Sequence, residues 1–382
     1  MSKPTFYEFF AGGGMCRAGL GSAWQCIFAN DFDPKKGRSY DINWGGREFR
    51  LGDIHALTPD DLPGRADLAW ASFPCQDLSL AGNGVGLKGE RSGAFWGFAS
   101  LIKGLNAQRR APNLLVLENV VGALTSNGGR DFSELCRALS ALGYVFGAMT
   151  IDAVHFVPQS RPRLFIVAAR KDLALPNELT SHAPTTPWAS PALLRAHSAL
   201  PVALKRDWRW WALPLPAKSN VRLIDLIEDS PADVEWHTRA QTARLVSMMS
   251  DVNRNKLRAA QATGKRMVGT IYRRTRFDAN GEKVQRAEVR FDGVSGCLRT
   301  PGGGSSRQFI MVVEGRAIRS RLLSGREAAR LMGLPDEYIL PARYNDAYHL
   351  FGDGLVVPVI AHLSKNLLGR LGRKTPLATA AE

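Results

Sequence analysis

The side chain with the greatest chemical reach is Cys75, in the run Ala71-Ser72-Phe73-Pro74-Cys75-Gln76-Asp77-Leu78-Ser79. A thiolate is a potent nucleophile wherever its surroundings favour ionisation. Pro74 fixes φ and lacks an N–H, so it stops the apolar run before it and presents Cys75 at the end of a strand. A lone cysteine is more often an inert core residue. Here polar neighbours flank it, and the glycine-rich stretch 80–92 that follows has the composition of a lid closing over substrate.

Three more strand-end features lie upstream. Phe9-Phe10-Ala11-Gly12-Gly13-Gly14 joins an apolar run to a helical segment; glycine there lets the backbone approach a ligand closely. Asn30-Asp31-Phe32-Asp33-Pro34 follows a second run, and Asp33 before Pro34 reads as a helix N-cap, which leaves Asp31 to accept from ribose hydroxyls. Gly52-Asp53-Ile54 closes a third run, where Asp53 suits an adenine amino group or an exposed turn. Features roughly 20 residues apart at successive strand ends suit an adenosine-bearing ligand. The glycine spacing is not the Gly-x-Gly-x-x-Gly dinucleotide pattern, which favours S-adenosylmethionine over NAD. Phe10, Gly12, Gly14, Asp31, Asp53 and Pro74 are the expected cofactor-binding residues.

The elements that must position these groups follow from periodicity. From residue 5 to 170, short apolar runs alternate with segments of helical period. That alternation predicts an α/β fold: a doubly wound, mostly parallel sheet with helices on both faces and sites at strand carboxyl ends. Between 171 and 315 Pro, Trp and Arg become frequent and periodicity weakens, which predicts a smaller, irregular, β-containing domain. Helical period returns over 316–370 as a segment expected to pack back on the first domain, and 371–382 reads as a flexible tail.

Composition narrows the partners. A chain of 382 residues exceeds what one core usually holds, so two lobes are expected. The net charge of +15 suits a polyanion, and 254–290 is the densest basic stretch, with eleven Lys or Arg against three Asp or Glu. Cysteines 16, 26, 75, 136 and 297 are widely spaced, with no Cys-x-x-Cys and no His at zinc spacing, so neither disulfides nor a metal is expected. No run approaches the roughly 18–20 apolar residues of a membrane helix. The short apolar stretch at 6–10 also lacks the flanks of a secretory signal, and a cytoplasmic location is expected.

Glu118-Asn119-Val120 follows another apolar run, and Gln159-Ser160-Arg161-Pro162-Arg163 precedes the next. These two segments join Phe9 to Gly14, Pro74-Cys75-Gln76, the stretch 321–335 and Phe351-Gly352-Asp353-Gly354-Leu355-Val356-Val357-Pro358-Val359. The ordered series resembles the motifs of DNA cytosine-5 methyltransferases, over residues 5–170 and 320–368. The resemblance implies a Rossmann-like domain that takes S-adenosylmethionine, with Cys75 adding to cytosine C6 so that C5 becomes nucleophilic. It assigns Glu118 to the N3 edge of the base. Arg161 and Arg163 would steady the base O2 and the acid and lower the Cys75 pKa. The cytosine must leave the stack, with Gln76 and Ser79 on the DNA side of the lid.

The same resemblance makes 1–170 the catalytic and cofactor-binding domain and 171–315 the target-recognition domain. Arg273, Arg274 and Arg276 are candidates for phosphate contacts. Arg299, Arg307 and Gln308 are candidates for base edges. Relatives usually carry Thr-Leu where this chain has Cys297-Leu298, with Thr300 nearby as a DNA contact, and many carry Gly-Asn where it has Gly352-Asp353. Asp353 suits a helix cap, with packing near the cofactor. The implied partner is double-stranded DNA, methylated by a monomer, alone or beside a companion restriction endonuclease acting independently. Two other readings use the same residues. A tRNA-methylating branch is disfavoured by the long Arg-rich region, and a DNA-binding regulator without turnover is disfavoured by Cys75, Glu118, Arg161 and Arg163 together.

Overall fold

The computed structural model describes residues 2–74, 93–278, 280–300 and 306–372, so Cys75, Gln76, Ser79 and the stretch 80–92 lie outside the described residues. The chain forms two compact units. The first comprises Met1–Ile151, Pro162–Pro216 and Val359–Glu382; the second comprises Asp152–Arg161 and Ala217–Pro358.

The first unit holds strands β1 (Thr5–Phe9), β2 (Gln25–Asp31), β3 (Phe49–Leu51), β4 (Leu68–Ala71), β5 (Leu114–Val120), β6 (Tyr144–Asp152) and β7 (Pro162–Arg170). They make one seven-stranded sheet in the order β3-β2-β1-β4-β5-β7-β6. Parallel pairs join β1 to β2 and β4, β2 to β3, and β4 to β5, whereas β7 runs antiparallel to β5. This is the expected doubly wound, mostly parallel sheet. β4 (Leu-Ala-Trp-Ala) is buried at every residue, as befits a strand covered on both faces. Helices α1 (Met15–Leu20), α2 (Pro34–Trp44), α3 (Ala94–Ala107) and α4 (Arg130–Ala141) accompany the sheet. The chain runs outward from β1 through β2 to β3 and returns to β4 on the other side of β1. That reversal opens a crevice beyond the carboxyl ends of β1 and β4.

The segment 171–216, expected to begin the second domain, instead belongs to the first unit. It carries helices α5 (Pro191–Ser198) and α6 (Val202–Asp207) and the short strands β8 (Thr180–Ser181) and β9 (Trp210–Trp211). Trp208 and Trp210 are part of the core that includes Phe146 and Ile166. The Trp211 indole donates to the carbonyls of Gly147 at 3.2 Å and Val167 at 3.1 Å. Gly147 is required there, because a Cβ would lie 1.8 Å from the Arg209 carbonyl oxygen. The weak periodicity marked an irregular connection, but its large aromatic surfaces need an apolar face, and the sheet provides one.

The second unit is built on an antiparallel sheet in the order β11-β10-β12-β13, from β10 (Arg266–Phe277), β11 (Lys283–Arg290), β12 (Phe309–Glu314) and β13 (Ala317–Leu322). Helices α7 (Leu223–Leu226), α8 (Arg239–Ser247), α9 (Asp251–Ala262), α10 (Gly325–Leu331) and α11 (Tyr344–Asp353) complete it. Leu245, Met249 and Leu257 pack against Ile271, Val289, Met311 and Val313. The outer edge of β11 is covered by α9: Asn253 Oδ1 accepts from Val289 N at 3.0 Å, and Lys256 Nζ donates to Val289 O at 3.4 Å.

Most of the segment expected to return to the first domain stays in this second unit, up to Pro358. Its start is fastened locally. Ser324 and Glu327 form a capping box for α10, and Glu327 pairs at 2.5 Å with Arg321 of β13, both fully buried. Helix α12 (Val357–Leu363) then leads to Ser364, which accepts from the Trp24 indole at 3.0 Å in the first unit. Among the described residues, no helix is long and apolar enough to cross a membrane.

Candidate active site

At the end of β1 the backbone turns through conformations open mainly to glycine: φ is +58° at Phe10, +57° at Gly12 and +78° at Gly14. Gly14 is doubly constrained, since a Cβ would lie 2.2 Å from the Trp44 indole nitrogen. That indole donates to Gly13 O at 2.9 Å and braces the turn. Asp31, buried at the end of β2, holds the turn from the other side. Its Oδ2 accepts from Gly12 N at 2.8 Å, and its Oδ1 accepts from Asp33 N at 2.9 Å. Each carboxylate oxygen has two lone pairs, so one on each remains for a ligand hydroxyl. Burial raises the Asp31 pKa, opposed by the Lys36 charge and these two N–H donors.

Two residues of this region were not singled out from sequence. Phe32 is 67% exposed at the strand end next to Asp31, an unusual place to leave an aromatic ring in water. Glu8, the acid within the apolar strand β1, is buried, and its Oε2 has no hydrogen-bond partner among the described residues. Burial pushes its pKa up to about 8, against the N–H and charge of Arg17 and the Cys16 N–H. An isolated acid among buried apolar neighbours was the available signal for Glu8. Asp33 caps α2 as expected, accepting from Lys35 N at 2.8 Å. Asp53 is exposed, and its Oδ1 caps a short turn by accepting from His55 N at 2.9 Å.

The next strand ends carry the acid. In the β5–β7 ladder Glu118 faces Phe165 and Val120 faces Arg163, which places Glu118 and Arg163 on one face as diagonal neighbours. Arg163 Nε lies 3.3 Å from Glu118 Oε1, with side-chain exposures of only 17% and 8%. Asn119, alternating to the other side, donates from Nδ2 to Phe73 O at 3.3 Å. The Phe73 ring packs on Phe95 at 5.5 Å between centroids. The peptide leading into Pro74 is thereby tied to the strand that carries Glu118. This tether links two motifs 46 residues apart and has no signature in either.

Arg161 has a different setting from Arg163. It lies in the second unit, 2% exposed, and its guanidinium donates to Leu298 O at 2.6 Å, Gly352 O at 2.8 Å and Gly354 O at 2.7 Å. Its backbone N–H donates to Asp152 Oδ1 at 2.7 Å. Gln159 also serves this region: it accepts from Leu298 N at 3.0 Å and donates to Leu331 O at 2.8 Å.

Among the expected DNA contacts, Gln308 requires correction as a base reader. It is fully buried, its amide donates to Ser295 Oγ at 2.5 Å, and its backbone N–H donates to the Tyr348 hydroxyl at 2.9 Å. Its place immediately before β12 turns it inward, which the polar residue type concealed. Arg307 is half-buried, donates to Asn345 Oδ1 at 2.5 Å and lies over the Tyr344 ring at 5.8 Å. Arg273 lies over Phe309 at 5.2 Å, while Arg274 and Arg276 share Glu288 at 3.4 and 2.5 Å. These three arginines are exposed, as is Arg299. The Thr300 hydroxyl donates to Asp353 Oδ1; Asp353 ends α11 and is not an N-cap.

A glycine turn at the reversal of an α/β sheet, with a carboxyl–guanidinium pair at the neighbouring strand ends, defines a Rossmann-like fold with a ligand site at its switch point. The chain belongs to the C-5 cytosine-specific DNA methylase family, whose model matches residues 4–369. It is accordingly a DNA (cytosine-5-)-methyltransferase, as its motif series implied. Its relatives include Type II methyltransferase M.HpaII of Haemophilus parainfluenzae, 25% identical over 388 residues, covering 97% of this chain and 90% of the relative. Type II methyltransferase M.HhaI of Haemophilus parahaemolyticus is 24% identical over 373 residues, covering 97% of this chain and 95% of the relative. Among solved structures, the S. pombe Dnmt2 methyltransferase has a similar fold, with a TM-score of 0.59 at 18% identity over 97% of this chain and 99% of that one. The Entamoeba histolytica methyltransferase EhMeth gives a TM-score of 0.62 at 14% identity over 97% and 99%.

Proposed function

We propose that the protein methylates C5 of a cytosine flipped out of a specific duplex DNA sequence, through a covalent bond between Cys75 and C6, using S-adenosylmethionine. The observation that carries this reading is the buried Glu118–Arg163 pair, tied through Asn119 to the peptide that precedes Pro74 and Cys75.

The residues at the β1–β2 end suit the cofactor. The glycine turn admits close approach, Asp31 retains acceptor capacity for ribose hydroxyls, and the exposed Phe32 ring suits the flat face of adenine. Asp53 suits the edge of that base, and Phe10 and Pro74 follow the carboxyl ends of β1 and β4 on the same side. When bound, S-adenosylmethionine supplies the activated methyl group. The chain's own residues then act on cytosine. The Cys75 thiolate adds to C6 while Glu118 gives a proton to N3, so that the ring electrons collect at C5 instead of N3. Arg163 holds the Glu118 carboxyl in place and supports O2. After methyl transfer, water takes the C5 proton, the C6–S bond breaks, Cys75 leaves as thiolate, and the N3 proton returns to Glu118 to give neutral 5-methylcytosine.

Duplex DNA is the substrate that the chemistry and charge suit, with Arg273, Arg274 and Arg276 as phosphate contacts and Arg299 as a base contact. One target base is treated per event, so a monomer suffices. A role as the protective half of a restriction–modification pair accords with the Type II names of the relatives. The test is methyl transfer from labelled cofactor to duplex DNA and to tRNA side by side, followed by bisulfite sequencing of the DNA. Transfer to DNA at one sequence context is expected. Transfer to tRNA alone, or tight DNA binding without any transfer, would overturn the proposal.

A further inference from the structure

The Thr300 hydroxyl donates to the Asp353 carboxylate, joining two segments of the second unit 53 residues apart. The backbone beside them is closely packed. A Cβ on Gly352 would lie 2.7 Å from Thr300 N and 2.9 Å from Arg299 C, so the 299–300 peptide rests directly on the end of α11. Beneath it, Arg161 joins Leu298 O to the carbonyls of Gly352 and Gly354. On the far side the Tyr272 hydroxyl donates to Cys297 O at 2.5 Å, and Gln159 accepts from Leu298 N at 3.0 Å. Residues 297, 298 and 300 are thus each fixed by the body of the second unit. Leu298 is buried, and the Arg299 side chain is exposed.

We propose that the Thr300–Asp353 contact is a latch that aims Arg299, making Arg299 the specificity-determining residue of this segment and Asp353 a positioning residue. The inference rests on the reading that 297–300 faces duplex DNA. Thr300 then acts on the DNA through Arg299, and Asp353 acts through Thr300 without touching substrate. Removing either latch partner frees the peptide to pivot about Leu298, which blurs the choice of base while leaving the cofactor crevice and Glu118 as they were. Asp353→Asn keeps an acceptor oxygen for the Thr300 hydroxyl and preserves the latch.

The full-length enzyme and its Thr300→Val, Asp353→Ala, Asp353→Asn, Thr300→Val/Asp353→Ala and Arg299→Ala variants should be used to methylate a plasmid library of random sequence in vitro. The base preference flanking each modified cytosine is then read by bisulfite sequencing, with kcat and the KM for DNA measured on the preferred site. Arg299→Ala should lose roughly tenfold or more of discrimination at one base pair. Thr300→Val and Asp353→Ala should each lose roughly fivefold at that same base pair. The double variant should be no worse than either single one, and Asp353→Asn should match the wild type. The latch is overturned if Thr300→Val leaves discrimination unchanged, if the two losses multiply, or if Arg299→Ala alters a different base pair. Thr300→Val keeps side-chain shape, so it decides the matter even if Asp353→Ala folds poorly. Wild-type protein that methylates DNA without sequence preference would sink the underlying reading instead, before any variant is compared.

Discussion

A carboxyl held 3.3 Å from a guanidinium at the end of a buried strand is fixed in direction, and Glu118 owes that to Arg163. If that carboxyl delivers the N3 proton, Glu118→Gln should lower kcat by about 100-fold or more while the KM for DNA changes far less, since general acid catalysis contributes on that scale. Steady-state kinetics on a single-site duplex would check it, and a kcat within a few-fold of wild type would leave Glu118 a merely structural role. Glu8 offers a different readout. Its native pKa of about 8 exceeds the ordinary value of 4.5, so the folded protein keeps a proton that the unfolded chain releases. Stability should therefore fall as pH rises from about 4.5 to about 8 and level off above that. Glu8→Gln should remove that decline, seen as a higher melting temperature than wild type at pH 8 and a matching one near pH 4.5. Glu118 and Arg163, which the structure pairs, stood out in the sequence because chemistry restricts their types. The Asn119–Phe73 tether, the commitment of Arg161 to three carbonyls and the inward turn of Gln308 did not, since each depends on a partner distant in sequence.

Among elements, the parallel strands were readable because burial on both faces makes them short continuous apolar runs, as in β4 and β5. The segment 171–216 was misplaced because its packing depends on tryptophans that find the sheet, and composition does not record the partner. Glycines at element ends separate strain from collision. Gly14 and Gly45 both have positive φ, at +78° and +83°, but a Cβ at Gly14 meets Trp44 and one at Gly45 meets nothing within 4 Å. Gly45→Ala should cost only about 1–2 kcal/mol of stability, the expense of a left-handed backbone. Gly14→Ala should cost more and should also weaken S-adenosylmethionine binding by roughly tenfold or more, because it displaces the turn that Asp31 and Trp44 brace. Thermal melts with calorimetric cofactor titration distinguish the two; equal behaviour would mean the turn does not shape the cofactor site.

For the molecule as a whole, a net charge of +15 suits contacts to phosphates, and each phosphate neutralised steepens the dependence of DNA affinity on salt. Between about 50 and 200 mM salt, affinity should fall by roughly a thousandfold if some six phosphates are neutralised. Arg273→Ala should reduce the slope of log affinity against log salt by about one, equally for specific and non-specific DNA. A slope unchanged by Arg273→Ala would remove it from the phosphate contacts. Charge and composition indicated two units and a polyanionic partner, but the chain divides at 151–162, 216 and 358, because the polypeptide crosses between units more often than a drop in periodicity reveals. The central claim is a sulfur–carbon bond to the target base, and covalent trapping tests it most directly. With S-adenosylmethionine and duplex DNA carrying 5-fluorocytosine at the methylated site, C5 cannot lose a proton after transfer, so wild-type protein should remain attached to the DNA through denaturing electrophoresis and Cys75→Ser should not. Efficient methylation of ordinary DNA with no adduct on the fluorinated duplex, or an adduct that persists in Cys75→Ser, would contradict the account.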